Sequence, residues 1–188
     1  MSDINSAGRA HLSPDELLAL LGRLGIAFKN HGHEAVFTVE ESRHVKEAIP
    51  GAHTKNLFVK DKKDNYFLIV AEGSAQIHMN SVHTLIGAKS RLSFANAERL
   101  MEFLGVMPGS VTAFAAVNDT GNNVTVVIDQ ALLDSPLVNC HPLTNTMTTT
   151  ISREDLLRFL KECGHAPLVV ALSQPGEARQ PQPAQSDQ

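Results

Sequence analysis

A lysine and an asparagine stand at the start of an otherwise apolar stretch, where their side chains could contact a ligand. Residues 51–61 read GAHTKNLFVKD, and Lys55 and Asn56 directly precede the apolar run at 57–59. Strands favour β-branched and aromatic residues, so this run predicts a strand. A lysine at its start is either a solvated charge or a cation directed into a pocket. Residue statistics favour the solvated charge, because lysine is rarely buried unless it is paired.

Two other segments contain residue types that are common in active sites. His141 precedes Pro142 at the head of a threonine-rich run, but a lone histidine is more often a structural residue than a base or a ligand. In the run GVMPGSV at 105–111, Gly109 allows backbone dihedrals and close approaches that a side chain would forbid. From the residues alone, an ordinary turn after a helix is the favoured interpretation of this run. Cys140 is adjacent to His141 in sequence only, which does not make a catalytic dyad.

The nine histidines and two cysteines do not form a metal-binding pattern. His31 and His33 are two residues apart, and His78 and His83 are five residues apart. Neither spacing matches a HExxH motif or a zinc-finger pattern. Two unpaired cysteines cannot complete a site of soft ligands. We therefore expect neither a metal nor another cofactor.

Length and composition predict one substantial domain with an aliphatic core. The chain has 188 residues, of which 43% are hydrophobic and only 5% aromatic, and it has no tryptophan. No apolar run approaches the roughly 20 residues that span a bilayer, and the N-terminal residues lack the apolar segment of a secretory signal. The two cysteines form no CxxC pair and indicate reduced thiols, so we expect a cytoplasmic protein.

Local patterns predict where the helices and strands lie. Ser13 and Glu16 form a capping box at the start of a first helix. A second capping box, from Thr38 to Glu41, predicts a helix that ends before Pro50. The other predicted elements are a hairpin of Asn56–Lys60 and Tyr66–Ala71, helices near 81–86, 96–104 and 152–163, and strands near 91–94, 123–129, 143–150 and 168–172.

The order of these elements predicts the fold class. Strands and helices interleave irregularly around one clear hairpin, which favours an α+β fold with a mixed sheet. We assign residues 1–172 to one domain. The sequence beyond Ser173 is rich in proline and glutamine and lacks large apolar side chains. Residues 173–188 are therefore predicted to be a disordered tail.

Five blocks of sequence resemble the YbaK-type editing domains, the free-standing relatives of the insertion domain in bacterial prolyl-tRNA synthetases. The blocks are HEAVFTVEES at 33–42, GAHTKNLFVKD at 51–61, LSFANAERLMEFLGVMPGSVTAF at 92–114, VTVVID at 124–129 and HPLTNTMTTTIS at 141–152. The resemblance implies a mixed, partly barrel-like sheet flanked by helices. The KNLF and HPLTN segments look most like those of the free-standing proteins that hydrolyse alanine from mischarged proline tRNA.

The resemblance implies hydrolysis of an aminoacyl ester at the 3′ end of a tRNA. Such a reaction needs a positioned water, donors for the oxyanion and a pocket of limited size. Lys55 would stabilise negative charge at the ester carbonyl or the terminal phosphate, and Asn56 would orient the terminal adenosine or the water. Pro108, Gly109 and Ser110 would form a loop beside the substrate.

The resemblance also implies where the amino acid and the RNA would bind. The HPLTN segment would lie at the pocket, so that His141 and Asn145 shape the amino-acid site. The net charge of −4 argues against a long electrostatic footprint, so contact with the acceptor end of proline tRNA would be local. Lys89 and Arg91, just before the LSFANAERL segment, are the candidates for that contact. Prolyl-tRNA synthetase is a further candidate partner, and neither DNA nor a membrane is expected.

Two alternatives stay open at the level of sequence. A protein that kept the fold but lost the reaction would serve as an adaptor for tRNA or a synthetase, although it would have no chemical need for Lys55 and the glycine loop. The same hydrolase fold would act on cysteine or serine esters if its pocket admitted them. Pocket size decides between these substrates and alanine, and it depends on packing between distant segments.

Overall fold

The computed structural model describes residues 10–35 and 39–173, with the side chains of all of these except residues 39–43. The predicted capping box at Thr38 and the predicted disorder from residue 174 onward lie outside the described residues. The described α-helices are Pro14–Arg23 (α1), Val39–Ala48 (α2), Met79–Leu85 (α3), Ala97–Leu104 (α4) and Arg153–Glu162 (α5). The described strands are Phe28–Gly32 (β1), Ala52–Lys60 (β2), Tyr66–Glu72 (β3), Ser93–Phe94 (β4), Val124–Asp129 (β5), Leu137–Cys140 (β6), Met147–Ser152 (β7) and Leu168–Val170 (β8). Short 3₁₀ helices span Ala113–Asn118 and Gln130–Asp134.

The helix ends follow the local sequence. Ser13 caps α1, because Glu16 N–H donates to Ser13 Oγ at 3.3 Å and Ser13 N–H donates to Glu16 Oε2 at 2.7 Å. Asn96 caps α4 and Ser152 caps α5, each through a side-chain oxygen that accepts a backbone N–H. Gly105 ends α4 in the left-handed conformation, with φ 64°. The predicted starts of these three helices are confirmed.

Strand β2 is the centre of a mixed sheet of eight described strands. The path through the sheet is β1-β7-β6-β2-β3-β5-β8, and β4 pairs with β2 outside this path. Strand β2 pairs antiparallel with β3 from Thr54 to Lys60, whereas it pairs in parallel with β6 only at Ala52 and His53. The predicted hairpin, and the mixed sheet flanked by helices, are confirmed.

Alternation along β2 divides its side chains between two hydrophobic clusters. Phe58 belongs to a large cluster that also contains residues of α1, α4 and α5, while Val59 belongs to a smaller cluster with α3. Successive side chains of a strand point to opposite faces of the sheet. Thr54 and Asn56 therefore share the face of Phe58, and Lys55 shares the face of Val59.

Several strands differ from the sequence prediction. Strand β2 begins at Ala52 rather than at Asn56, so Lys55 and Asn56 lie inside the strand and not at its start. The threonine-rich strand begins at Met147 rather than at Leu143, because Leu143 has φ 62°, a left-handed conformation that strands do not use. Strands β1 and β6 were not predicted, because they are short and β1 is largely polar. Their pairing with β7, which is distant in sequence from β1, supplies the hydrogen bonds that define them. None of the described helices is both long enough and apolar enough to cross a membrane.

A buried carboxylate organises the loop between β2 and β3. Asp61 is 2% exposed, and it accepts hydrogen bonds of 2.8–3.1 Å from the backbone N–H groups of Lys63, Asn65 and Lys89 and from the side-chain amide of Asn65. Burial raises the pKa of Asp61, but these hydrogen bonds outweigh that effect and lower the pKa to about 2. The carboxylate therefore fastens the hairpin to the segment that leads into β4.

We expect Asp61→Asn to lower the free energy of unfolding at neutral pH by about 1–3 kcal/mol, because the new amide nitrogen would face groups that can only donate. A carboxylate whose pKa is lowered by folding adds stability above its unfolded pKa of about 3.9. That stability is lost as the pH falls toward the folded pKa of about 2. Urea denaturation should therefore show the difference between wild type and variant shrinking from about pH 5 downward.

Asp64→Asn is the matched control for this substitution. Asp64 lies in the same loop, and its exposed carboxylate forms an ion pair with Lys60 at 2.7 Å. Its φ of 57° is a conformation that asparagine tolerates. An exposed pair contributes little to stability, so equal losses from the two substitutions would contradict the role given to Asp61.

Candidate active site

A small cleft opens at the start of β2, where β1, α2, β6 and β7 also end or begin. Its volume is about 60 Å³. The lining residues are His33, Val45, Lys46, His53, Thr54, Asn139, Cys140, His141 and Thr148. They come from five separate segments of the chain, and Lys46 is the one permanently charged residue among them.

Hydrogen-bonded polar side chains form one wall of the cleft. Thr54 Oγ1 donates to the backbone carbonyl of Asn139 at 2.9 Å and lies 3.8 Å from Cys140 Sγ. Asn139 Nδ2 donates to the carbonyl of Pro50 at 3.1 Å, and Thr150 Oγ1 donates to Asn139 Oδ1 at 2.5 Å. Each side chain is thereby held in one position, so the wall is stiff.

The cysteine of the cleft is not a nucleophile. Burial raises the pKa of Cys140 to about 12, so its side chain is a thiol at neutral pH, and the thiolate is the reactive form. No covalent intermediate on Cys140 is therefore expected. The thiol acts as a small apolar surface at the wall of the cleft.

Two histidines face each other across the cleft, with ring centroids 6.4 Å apart. His141 Nδ1 donates to the carbonyl of Met147 at 3.0 Å, which leaves Nε2 as an acceptor in the neutral ring. Burial lowers the pKa of His141, and the nearby His33 lowers it further. His33 Nδ1 donates to the carbonyl of Glu34 at 2.8 Å, and its Nε2 lies 2.9 Å from Thr148 Oγ1. His141 therefore presents a neutral imidazole at neutral pH.

Lys55 and Asn56 are neighbours in β2 but project from opposite faces of the sheet. The ammonium of Lys55 donates to the backbone carbonyl of Ala75, just after β3. Asn56 Nδ2 contacts Thr54 Oγ1 at 3.4 Å, so Asn56 lies behind the cleft wall. Its Oδ1 is buried without a hydrogen-bond partner among the described residues. An acceptor left unpaired in this way is unusual and suits a site that binds a donor group.

The predicted glycine loop is a tight turn after α4. Ser110 N–H donates to the carbonyl of Met107 at 3.0 Å, and Gly109 has φ 92°. Proline followed by a glycine of positive φ is typical of a type II turn. Pro108 and Gly109 are exposed, Ser110 is half-buried, and none of the three lines the cleft.

The HPLTN segment lies at one side of the cleft, where His141 is one of the lining residues. Its backbone turns sharply, because Leu143 N–H donates to the carbonyl of His141 at 2.9 Å and Leu143 adopts φ 62°. Asn145 is half-exposed in the turn that precedes β7. Of the two predicted residues of this segment, His141 lines the cleft and Asn145 does not.

The two candidate RNA contacts lie on the exposed segment before β4. Lys89 and Arg91 are both exposed, and the backbone N–H of Lys89 donates to Asp61 Oδ2 at 2.8 Å. The structure thus holds this segment against the β2–β3 hairpin. It does not place either side chain at the cleft.

Sequence reasoning missed most of the cleft. Lys46 and Val45 look like ordinary helix residues, and Thr54, Asn139 and Thr148 look like ordinary strand residues. His33, His53, Thr54 and Thr148 lie inside sequence blocks of the family, but nothing in the sequence singled them out from the other residues of those blocks. Within the described part of the chain, no group of three or more histidine, cysteine, aspartate or glutamate side chains could hold a metal ion.

Comparisons with known proteins agree with the sequence resemblance. The pattern of the aminoacyl-tRNA editing domain matches residues 33–159. Prolyl-tRNA synthetase associated domain-containing protein 1 of Danio rerio is 37% identical over 174 residues, which cover 89% of this chain and 94% of that protein. Prolyl-tRNA editing protein ProX of Acetoanaerobium sticklandii is 33% identical over 150 residues, which cover 79% of this chain and 91% of that protein.

A solved structure shares the fold. The crystal structure of "a putative trans-editing enzyme for prolyl tRNA synthetase" superposes with a TM-score of 0.63 at 20% identity, over 87% of this chain and 99% of that one. The resemblance inferred from the five sequence blocks is confirmed. The chain belongs to the aminoacyl-tRNA editing domain family and is an aminoacyl-tRNA deacylase.

Proposed function

We propose that this deacylase acts in trans on proline tRNA and removes mischarged alanine. The observation that carries the proposal is the size of the cleft, about 60 Å³. A cavity of roughly 150 Å³ accepts benzene, so this cleft suits a methyl-sized side chain far better than a proline ring. The names of the two relatives refer to prolyl-tRNA editing and to prolyl-tRNA synthetase, and they support proline tRNA as the carrier.

The reaction needs water and no covalent intermediate. The oxygen of water bonds to the ester carbonyl carbon, the bond to the ribose oxygen breaks, and a proton passes to that oxygen to give free alanine and intact tRNA. The negative charge that develops on the carbonyl oxygen requires nearby donors. Lys46 is the cation that lines the cleft, while Lys55 lies on the opposite face of β2, where it would meet the terminal phosphate.

Asn56 would contribute through its unpaired Oδ1. This atom is buried behind the cleft wall and has no partner among the described residues, so it would accept a hydrogen bond from the attacking water. Pro108, Gly109 and Ser110 would contact the tRNA end rather than the amino acid, because the turn lies outside the cleft. Asn145 would border the amino acid at the mouth of the cleft.

Serine and cysteine esters are the closest competitors for the cleft, since each adds one heavy atom to alanine. A hydrophobic pocket discriminates such small differences by only about 1–3 kcal/mol. We therefore expect a panel of alanyl-, seryl-, cysteinyl- and prolyl-tRNA(Pro) to be hydrolysed fastest with alanine, measurably with serine and slowest with proline. Hydrolysis of the prolyl ester at the alanyl rate would refute the proposed removal of alanine from proline tRNA, and hydrolysis of none would mean that the substrate is a different aminoacyl-tRNA.

Enlarging the cleft should widen its specificity. Cys140→Ala removes a sulfur atom from the wall, so the rate with 2-aminobutyryl-tRNA should rise several-fold relative to alanyl-tRNA, a change of about 1 kcal/mol or less in discrimination. Cys163→Ala is the matched control, because Cys163 borders a separate groove next to α1. If both cysteine variants keep the ratio of the wild type, the Cys140 wall does not limit the substrate.

Removing the β2 lysine should slow the reaction without unfolding the protein. Lys55→Ala deletes an ammonium whose one described hydrogen bond goes to the Ala75 carbonyl, and we expect a loss on the order of 100-fold in single-turnover rate, as for one cationic contact to a substrate phosphate. Lys46→Ala is the comparison, because Lys46 lines the cleft. A large loss for Lys46→Ala with full activity for Lys55→Ala would assign the charge-stabilising role to Lys46 instead.

Salt should weaken deacylation only slightly. The net charge is −4, and few phosphates would be neutralised, so the slope of log(kcat/KM) against log salt should be shallow. Arg91→Ala should reduce the magnitude of that slope by about 1, which is the contribution of one phosphate contact. Lys63→Ala, in the β2–β3 loop, should leave the slope unchanged. Equal slopes for the two variants would place the RNA elsewhere on the surface.

A further inference from the structure

The most exposed large hydrophobic side chain in the described part of the protein is Phe94. It is 69% exposed, although it lies in a strand. In the pairing of β4 with β2, Phe94 is directly opposite Val59. Residues that face each other across an antiparallel pair project from the same face of the sheet. Phe94 therefore lies on the face of β2 that carries Lys55.

The spacing along β2 relates Phe94 to the catalytic candidate. Val59 is four residues from Lys55, which at the rise of a strand corresponds to about 13 Å. A short length of single-stranded RNA can bridge that distance. If the terminal phosphate lies at Lys55, the unpaired nucleotides that precede it can run toward Phe94.

The charges around Phe94 favour an anionic partner. Lys89 and Arg91 lie five and three residues before it and are exposed. Neither forms an ion pair with another described residue, whereas the nearby cations Lys60 and Arg99 are paired with Asp64 and Glu102. An exposed aromatic ring beside unpaired cations is the arrangement that binds single-stranded nucleic acid, because bases stack on the ring while the cations contact phosphates.

We propose that Phe94 is a stacking platform for an unpaired base at the 3′ end of the tRNA, with Lys89 and Arg91 at the adjacent phosphates. The proposal rests on the proposed function, since it takes the substrate to be a charged tRNA. Stacking on a ring tolerates any base, so the contact would hold the single strand in place and leave recognition of the amino acid to the cleft.

The test uses an uncharged acceptor minihelix with 2-aminopurine at one unpaired position near its 3′ end. Stacking on Phe94 should quench this fluorophore on binding by the full-length protein. Phe94→Ala should abolish the quench and weaken binding by about tenfold or more, Phe94→Tyr should restore both, and Phe94→Leu should restore neither. Val169→Ala, which shortens another exposed apolar side chain in a strand, should leave both unchanged.

The results separate this inference from the proposed function. Binding of the minihelix needs no hydrolysis, so the quench can be measured even if alanyl-tRNA is not a substrate. Unchanged quench and affinity in Phe94→Ala would overturn the stacking platform while leaving the editing function intact. Full rescue by Phe94→Leu would also overturn it, because leucine replaces apolar area but not a π face, so the side chain would then act by apolar packing and not by stacking.

Discussion

The register of β2 is the constraint on which the rest of the structure depends. This strand pairs with β3 along one edge and with β6 and β4 along the other, and its alternation assigns neighbouring residues to opposite sides of the sheet. A slip of one residue would exchange the two sets of side chains. It would turn the ammonium of Lys55 toward the large hydrophobic cluster and remove Thr54 from the cleft. The seven-residue pairing with β3 makes such a slip costly, because β2 contributes side chains to both hydrophobic clusters.

Three buried carboxylates hold loops and strand ends in place around the sheet. Asp61, Asp119 and Asp129 are each at most 2% exposed, and each accepts backbone N–H groups from a loop or strand end. Loop N–H groups that are shielded from water need such acceptors. These residues link segments that are close in space but separated in sequence. Asp61 is the one nearest the proposed RNA contacts, since it fixes the basic segment before β4 in relation to β2.

The sequence predicted the features that depend on neighbouring residues, but not those that depend on contacts between distant segments. The capping box of Ser13 and Glu16 could be assigned because a cap bonds to a backbone group only a few residues away. Strands β1 and β6 could not be assigned, because their pairing with β7 is decided by tertiary packing rather than by propensity. The cleft combines five segments, so Lys46 and Thr148 can be assigned to it only from the three-dimensional structure. Lys55 was identifiable through its sequence block, but its face of the sheet was not.

If the cleft selects its substrate by size, as proposed, the stiffness of its wall supplies the physical basis. A soft wall would move aside for a larger side chain at little cost, whereas a wall of hydrogen-bonded groups must break bonds or strain rotamers to do so. Thr54, Asn139 and Thr148 are each held by a partner within the protein, and Cys140 fills the space between them. A proline ring would then be excluded because admitting it would break hydrogen bonds that also stabilise the sheet. An attractive contact with a single methyl group could not supply comparable selectivity, because so little surface is buried.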